Sequence, residues 1–330
     1  MTERTREAPV LAVRDLSVEI EGRRVVDGVS LDVGRAEVVA LVGESGCGKS
    51  MIAFSIMGLL PAVASVETGR ILLGSEDLVA FDEEAMRAVR GDSMAMIFQE
   101  PVSSLNPLMK VGEQVAESLV VHHGVSTAAA WGEAIDMLRQ VGIPEPERRA
   151  RQLPAELSGG MCQRVMIASA LISQPRLLIA DEPTTALDVT IQAQILKLMK
   201  DLRGLGDTAI LIITHDMGVV ADIADRVCVM YGGRIVETAE VHEIFARPSH
   251  PYTRLLLGTI PKLTGQRKHL LRSIEGTVPD VSEWPSGCRF RTRCPLADDA
   301  CANVPPSLPV AGDEAHQSAC WHLDRLAEVA

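Results

Sequence analysis

A glycine-rich segment with one lysine and one serine contains the residue types needed to hold phosphate groups. It lies between the apolar runs Val38–Val42 and Met51–Leu60 and matches the pattern G-x-x-x-x-G-K-[ST] between a strand and a helix. The glycines let the backbone curl so that successive N–H groups point at phosphate oxygens, and the helix N-terminus adds a favourable dipole. Lys49 would reach the β- and γ-phosphates of a nucleotide, and Ser50 would coordinate Mg²⁺. The predicted phosphate-binding residues are Gly43, Glu44, Ser45, Gly46, Cys47, Gly48, Lys49, Ser50 and Met51.

Two acidic residues, Asp181 and Glu182, directly follow a second apolar run, Leu177–Ala180. A carboxylate at the carboxyl end of a parallel strand can face a metal ion held by a neighbouring phosphate-binding loop. We therefore predict that Asp181 contacts Mg²⁺ through water. Glu182 would project toward the γ-phosphate and could act as the general base for the attacking water. Strands also end in solvated acids without such a role, so this prediction depends on the phosphate-binding loop.

A second potential anion site is formed by Ser158, Gly159 and Gly160, which open the helical run Met161–Ile172. Small residues with free N–H groups at a helix N-terminus can bind an anion. A chain with one phosphate-binding loop and one detached anion-binding helix start indicates composite sites that are shared across a dimer.

Four of the seven cysteines lie in a proline-rich segment near the C-terminal end, separated by five, six and eighteen residues. Structural zinc sites usually contain a cysteine pair separated by roughly two to four residues, whereas iron–sulfur clusters need four thiolates but accept varied spacing. His316 and His322 lie close enough in sequence to complete a zinc site instead. An iron–sulfur cluster, a zinc ion and unligated thiols all remain open from the residues alone. The four cysteines are Cys288, Cys294, Cys301 and Cys320.

The hydrophobic pattern predicts the elements that position these residues. Early segments such as Leu16–Ile20 and Val29–Val33 alternate between apolar and polar residues, as in an antiparallel sheet with one solvated face. Later runs are almost continuously apolar and are typical of parallel strands that are covered on both faces. These later runs are Val38–Val42, Met94–Phe98, Leu177–Ala180, Ile210–Ile213 and Val227–Tyr231.

Helical and turn patterns fill the remaining segments. The strand pattern is absent between Gln99 and Leu157, where Val111–Val121 and Ala128–Val141 are predicted as helices. The pair Gly232-Gly233 between two strand patterns predicts a hairpin. After about residue 250 proline is frequent and periodicity is poor, and a small segment that cannot build its own core often needs a metal.

The composition excludes several classes of protein. With 330 residues, a net charge of −12 and 3% aromatic residues, the chain does not have the basic surplus of a nucleic-acid binder, and no nucleic-acid partner is expected. No apolar run reaches the roughly 18 residues of a membrane span, and the charged N-terminus lacks the apolar core of a signal peptide. A cytoplasmic location with reduced thiols is predicted.

Taken together, the motifs resemble those of the ATP-binding cassette (ABC) ATPases over about residues 8–245. Leu157-Ser158-Gly159-Gly160-Met161 is similar to the family's signature motif, in which Ser158, Gly159 and Gly160 would contact the γ-phosphate bound by the opposite subunit. The resemblance implies that Gln99 senses Mg²⁺, water and the transmembrane partner, and that His215 binds the γ-phosphate and orients Glu182. It also implies that Asp188, with Ala186 and Leu187, crosses the dimer interface.

Further segments resemble the ATP-binding subunits of oligopeptide and dipeptide importers: Phe98–Pro107, His250–Arg254 and Gly287–Pro295. This resemblance implies ATP hydrolysis that drives peptide import, with a [4Fe–4S] cluster on the four cysteines and zinc as the alternative. The implied partners are a second ATPase subunit in a heterodimer, two transmembrane permease subunits and, through the permeases, an extracytoplasmic peptide-binding protein. The subunit would lie peripherally on the cytoplasmic face of the inner or plasma membrane.

The predicted fold is an α/β fold. A RecA-like parallel sheet core carries an antiparallel β annex, a helical subdomain insertion at about 100–170 and a small irregular, metal-stapled C-terminal extension. The predicted domains are a nucleotide-binding domain at 8–250 and an extension at 251–325. Three alternative functions stay open. The chain could be an ABC ATPase that drives import of nickel or another small solute, or an ABC ATPase that does not act in transport. It could also be a metal-dependent regulatory module that binds ATP without turnover.

Overall fold

A computed structural model of the chain describes residues 8–184, 188–260 and 273–329, in which the strands form two sheets. The strands are β1 (Leu11–Ile20), β2 (Arg23–Val33), β3 (Val38–Val42), β4 (Ala64–Leu73), β5 (Glu76–Asp77), β6 (Met94–Ile97), β7 (Leu177–Asp181), β8 (Ala209–Thr214), β9 (Arg226–Tyr231), β10 (Arg234–Glu240), β11 (Leu308–Val310) and β12 (Asp313–Ser318). The first sheet has the order β2-β1-β4-β5, and the second has the order β11-β12-β10-β9-β3-β8-β7-β6.

Helices connect the strands and cover the larger sheet. The α-helices are α1 (Lys49–Met57), α2 (Glu83–Val89), α3 (Val111–His123), α4 (Thr127–Gln140), α5 (Pro146–Arg149), α6 (Gly159–Leu171), α7 (Val189–Gly206), α8 (Met217–Ile223), α9 (Val241–Ala246) and α10 (Pro251–Gly258). Short 3₁₀ helices occur at Leu78–Ala80, Pro154–Glu156, Val281–Glu283, Asp299–Ala302 and Leu323–Glu328. Among the described residues, every helix is too short or too polar to cross a lipid bilayer.

The centre of the larger sheet consists of β9, β3, β8, β7 and β6, which are hydrogen-bonded in parallel. Every residue of β3, β6, β7 and β8 is buried, because helices and the second sheet cover both faces. The prediction that the continuously apolar runs are parallel strands is confirmed. Since such a strand has no solvated face, it does not alternate in polarity.

The alternating segments form the smaller sheet, which is antiparallel throughout. Leu11, Val13 and Val18 of β1 are buried and share a hydrophobic core with α1 and one face of the larger sheet. The predicted antiparallel annex is therefore confirmed. Its packing brings β2 against the start of α1 and so next to the glycine-rich loop.

The predicted helices and the predicted hairpin are also confirmed. Val111–Val121 lies within α3 and Ala128–Val141 largely coincides with α4, whose N-cap Ser126 accepts a hydrogen bond from the backbone N–H of Ala129. The Gly232-Gly233 turn joins β9 to β10, and its φ angles of 53° and 81° are in the left-handed region that glycine adopts without strain.

The C-terminal extension is less irregular than the sequence predicts, because β11 and β12 continue the larger sheet beyond β10. The central sheet is accordingly mixed rather than wholly parallel. A fully buried carboxylate, Glu237 of β10, joins the two parts. It accepts hydrogen bonds from the backbone N–H groups of Ser249 (2.6 Å) and His250 (2.9 Å), and its Oε1 lies 2.8 Å from Nε2 of His316 on β12. Local periodicity cannot reveal such a long-range pairing.

We expect Glu237→Leu to detach the extension, because Ser249, His250 and His316 each lose a buried acceptor. An unsatisfied buried group costs about 1–3 kcal/mol, so the free energy of unfolding should fall by at least about 3 kcal/mol in urea titration. The control is Glu240→Leu on the same strand, where the side chain is 61% exposed, and it should change stability little. Equal losses in both variants would contradict the proposed role of Glu237.

Candidate active site

The predicted phosphate-binding and acidic residues meet at the carboxyl edge of the parallel strands. The glycine-rich loop follows β3, Asp181 ends β7 and His215 follows β8, and the sheet order places β8 between β3 and β7. Since parallel strands all end at the same edge, residues far apart in sequence converge there. The structure thus brings together the groups that are predicted to form one site.

The geometry at the start of the glycine-rich loop explains the glycine at position 43. Gly43 has a φ of 157°, and a Cβ at this position would lie 2.2 Å from the carbonyl oxygen of Met230 on β9. The Lys49 ammonium is buried within the loop, where it donates hydrogen bonds to the carbonyl oxygens of Gly43 (2.8 Å) and Glu44 (3.0 Å). The loop is therefore closed around its own lysine, and α1 begins at that residue.

Asp181 is a buried carboxylate with unused hydrogen-bonding capacity. Its side chain is 2% exposed, and its Oδ1 atom has no hydrogen-bond partner within the described residues. Burial raises the pKa of Asp181 above its ordinary value, and the Glu182 carboxylate adds to this rise. The Ser50 hydroxyl and the Lys49 ammonium lower the pKa and so oppose the rise. A buried anionic oxygen without a partner, next to a serine hydroxyl, fits a hard cation such as Mg²⁺.

Glu182 and His215 form a pair beside this carboxylate. The Glu182 Oε1 atom lies 2.8 Å from Nδ1 of His215, and the side chain of Glu182 is 11% exposed while that of His215 is 62% exposed. The backbone of Glu182 has a φ of 52°, which is strained for a residue with a Cβ, and its N–H donates to the carbonyl oxygen of Ile213 at 2.8 Å. This strained backbone holds the carboxylate at the opening of the site.

The signature-like residues lie at the start of α6. Ser158 is the N-cap, and its Oγ accepts a hydrogen bond from the backbone N–H of Met161 at 3.3 Å. Within the described residues, no hydrogen bond joins Ser158, Gly159 or Gly160 to the glycine-rich loop. The two predicted anion sites therefore lie on different elements, one before α1 and the other at the start of α6.

The remaining predicted site residues are placed as follows. Gln99 is exposed just after β6. Asp188 caps α7, and its carboxylate accepts hydrogen bonds from the backbone N–H groups of Thr190 and Ile191, both at 3.0 Å. The predicted interface residues Ala186 and Leu187 lie outside the described residues.

Tyr252 and Arg293 of the extension contact the glycine-rich loop, and the sequence predicted no role for either residue. The Arg293 guanidinium forms a two-pronged ion pair with the Glu44 carboxylate, at 2.6 and 3.1 Å. The Tyr252 hydroxyl accepts a hydrogen bond from the backbone N–H of Glu44 at 2.8 Å. Both residues stand in segments that resemble family motifs, but no local pattern reveals that they face the loop.

The four clustered cysteines lie near one another in the extension. Burial raises the pKa of Cys294 to about 12, and the neighbouring thiols add to the rise. Cys301 also takes part in a compact group with Asp298 and His322, in which the potential ligand atoms lie within 4.8 Å of one another. His316, by contrast, is engaged with Glu237. The thiols that add to the raised pKa of Cys294 are those of Cys288, Cys320 and Cys301.

Comparisons of the whole sequence agree with this geometry. Residues 26–185 match the family described as ABC transporter, and residues 236–301 match the family described as oligopeptide/dipeptide transporter, C-terminal region. The chain is 48% identical to the dipeptide transport ATP-binding protein DppD of Bacillus subtilis over 324 residues, which cover 97% of this chain and 96% of that protein. It is 51% identical to the oligopeptide transport ATP-binding protein OppD of the same organism, covering 87% and 82% of the two chains.

The fold is also similar to solved structures. A dimeric ATP-binding cassette, MJ0796, solved in a post-hydrolysis state bound to ADP and Pi, superposes with a TM-score of 0.64 at 26% identity. The superposition covers 70% of this chain and 98% of that one.

We expect Asp181→Asn to stabilise the protein in EDTA without nucleotide, because it removes a buried charge that the surroundings disfavour. The thermal midpoint at neutral pH should rise by an amount equivalent to about 1 kcal/mol. This gain should shrink as the pH falls toward the ordinary pKa of aspartate, because the wild-type carboxyl then becomes neutral too. The control Asp222→Asn removes the same charge from a side chain that is 53% exposed.

Asp181→Asn should also lose the further stabilisation that Mg²⁺ with ATP gives the wild-type protein. If Asp181→Asn is less stable than the wild-type protein in EDTA, the hypothesis that the buried Asp181 charge destabilises the ligand-free protein is contradicted.

Proposed function

The chain belongs to the ABC transporter ATPases of the oligopeptide and dipeptide type, and we propose that it hydrolyses ATP to drive the import of di- and oligopeptides. The observation that carries this proposal is the convergence of Lys49, Asp181 and the Glu182–His215 pair at one sheet edge. The relatives named for dipeptide and oligopeptide transport support the peptide cargo.

In this proposal the glycine-rich loop binds the phosphate groups of ATP. Its backbone N–H groups and the start of α1 face the β- and γ-phosphates, and Lys49 exchanges its carbonyl acceptors for phosphate oxygens. Mg²⁺, held by Ser50 and by Asp181 through water, with Gln99 beside it, would neutralise charge on the phosphates when bound. The unpartnered Oδ1 of Asp181 supports this assignment.

Glu182 is proposed as the general base for the water that attacks the γ-phosphate. Its carboxylate is mostly shielded from solvent, and the Nδ1 atom of His215 fixes its orientation. His215 is the more exposed of the two and can turn toward the γ-phosphate. The two residues therefore share the task of aligning water with phosphate.

The site is proposed to be completed by a second ATPase subunit. Ser158, Gly159 and Gly160 would bind the γ-phosphate held by the opposite subunit, since they open α6 with backbone N–H groups that suit an anion. Asp188 would lie at the same interface. The similarity to a dimeric cassette supports this arrangement, and we propose that the partner is a different subunit, giving a heterodimer.

The subunit is proposed to lie peripherally on the cytoplasmic face of the membrane. Two transmembrane permease subunits would bind it there, and an extracytoplasmic peptide-binding protein would deliver cargo to the permeases. We propose a division into a nucleotide-binding domain at 8–250, with its helical subdomain at about 100–170, and an extension at 251–325.

The extension is proposed to hold a [4Fe–4S] cluster on Cys288, Cys294, Cys301 and Cys320. Four neighbouring thiols suit such a cluster, which would supply structural cross-linking to the extension when bound. Zinc is the alternative, because the compact group of Asp298, Cys301 and His322 offers a mixed ligand set.

The general-base assignment is tested with Glu182→Gln. The amide cannot accept a proton from water, so ATP turnover in the assembled transporter should fall by about 10²–10⁴-fold while ATP binding persists. Lys49→Ala serves as the contrasting control, because it should lose ATP binding itself. Near-normal turnover by Glu182→Gln would remove Glu182 from this role.

The cluster assignment is tested by purification without oxygen. The protein should be brown and contain about four irons per chain, and Cys294→Ser should bleach it and make the extension more sensitive to protease. Cys228→Ser is the control, because Cys228 is buried on β9 in a hydrophobic cluster that contains none of the four cysteines of the extension, and this variant should keep its iron. Stoichiometric zinc, or no metal, in the wild-type protein would contradict the cluster.

A further inference from the structure

Glu44, near the start of the glycine-rich loop, is held on three sides. Its backbone N–H donates to the Tyr252 hydroxyl, its carbonyl oxygen accepts from Lys49, and its carboxylate pairs with Arg293. Lys49 belongs to the loop itself. Tyr252 lies in α10 and Arg293 lies beside Cys294, so two of the three contacts come from the C-terminal extension.

The ion pair between Glu44 and Arg293 is largely buried, and further contacts hold the arginine in place. The Arg293 side chain is 4% exposed and that of Glu44 is 29% exposed. The remaining guanidinium donors reach the carbonyl oxygens of Glu275 (2.8 Å) and Gly276 (3.2 Å), and the group lies 5.8 Å from the centre of the Tyr231 ring. A two-pronged arginine–carboxylate pair sets the direction of both groups, and a lysine cannot reproduce this geometry.

The contact with Tyr252 is equally enclosed. Tyr252 is fully buried, and its ring packs 4.8 Å from the Tyr231 ring and 5.3 Å from the Phe290 ring, measured between centres. Burial raises the pKa of Tyr252, so the hydroxyl stays neutral, and its oxygen accepts from the N–H of Glu44. The aromatic group of Tyr231, Tyr252 and Phe290 thus joins the end of β9 to the extension.

These contacts matter because a phosphate-binding loop acts through the directions of its backbone N–H groups. A glycine-rich segment has many accessible conformations, and ordering it upon ligand binding lowers affinity. A loop whose first residues are already fixed avoids that loss. The extension contacts the loop at Glu44, which is one of the first residues of that loop.

We propose that Arg293 and Tyr252 are positioning residues for ATP binding: by holding Glu44, they preorganise the phosphate-binding loop, and ATP affinity depends on the extension. This proposal rests on the ATPase function proposed above. Both residues act on the loop through Glu44 rather than on the general base Glu182, so we expect the effect on ATP binding and not on the chemical step.

The test compares Arg293→Gln and Tyr252→Phe with Arg291→Gln in the full-length protein and in the assembled transporter. Arg291 lies in the same segment and loses the same charge, and its side chain makes no ion pair within the described residues. We measure the Kd for ATP with Mg²⁺ and the KM and kcat of ATP hydrolysis. Arg293→Gln should raise Kd and KM about tenfold, and Tyr252→Phe about threefold, with kcat changed by less than about threefold. Arg291→Gln should match wild type.

A double variant distinguishes a positioning role of the ion pair from a general loss of structure. Glu44→Gln should weaken ATP binding like Arg293→Gln, and the pair Glu44→Gln with Arg293→Gln should cost less than the sum of the two, because the single changes each leave a charge without its partner. Tyr252→Phe preserves the buried ring, so it keeps the test available even if Arg293→Gln folds poorly.

Three results would overturn the proposal: unchanged Kd and KM in both Arg293→Gln and Tyr252→Phe, an equal effect of Arg291→Gln, or a fall in kcat with KM unchanged. An assembled wild-type transporter that fails to hydrolyse ATP would instead contradict the proposed function. The two failures are therefore distinguishable.

Discussion

Five parallel strands, buried on both faces where they cross the centre of the molecule, determine where the functional groups of this chain lie. Their common direction requires that the glycine-rich loop, the Asp181–Glu182 pair and His215 all emerge at one edge. The antiparallel sheet, the helical segment and the extension are all arranged around this edge. Without the parallel register, residues as distant as Lys49 and His215 would not form one site.

Two residues at that edge have features that are unfavourable to folding. Asp181 is buried with an oxygen that no described group satisfies, and Glu182 adopts a backbone conformation that favours glycine. Both features are costly in a protein without ligand, and in the proposed function they would serve to bind a cation and to activate water beside the phosphates. The surrounding core of continuous apolar strands supplies the stability that tolerates them.

The sequence predicted the parts of this arrangement that depend on local pattern. The loop around Lys49, the carboxylate Asp181 and the strand β3 were all found from short-range spacing and hydrophobicity, because backbone geometry and burial impose those residue types directly. Arg293 and Glu44 are 249 residues apart, and nothing near either residue encodes their contact. The same limit applies to Glu237 and His316, which join β10 to β12.

The way in which the extension continues the sheet bears on solubility. Strand β10 would otherwise present a row of unpaired N–H and C=O groups, which is a template for pairing with another chain. Strand β12 covers β10, and the outermost strand β11 has only three residues, of which Pro309 lacks an N–H to donate. The extension thus replaces an edge that invites aggregation with one that ends the sheet.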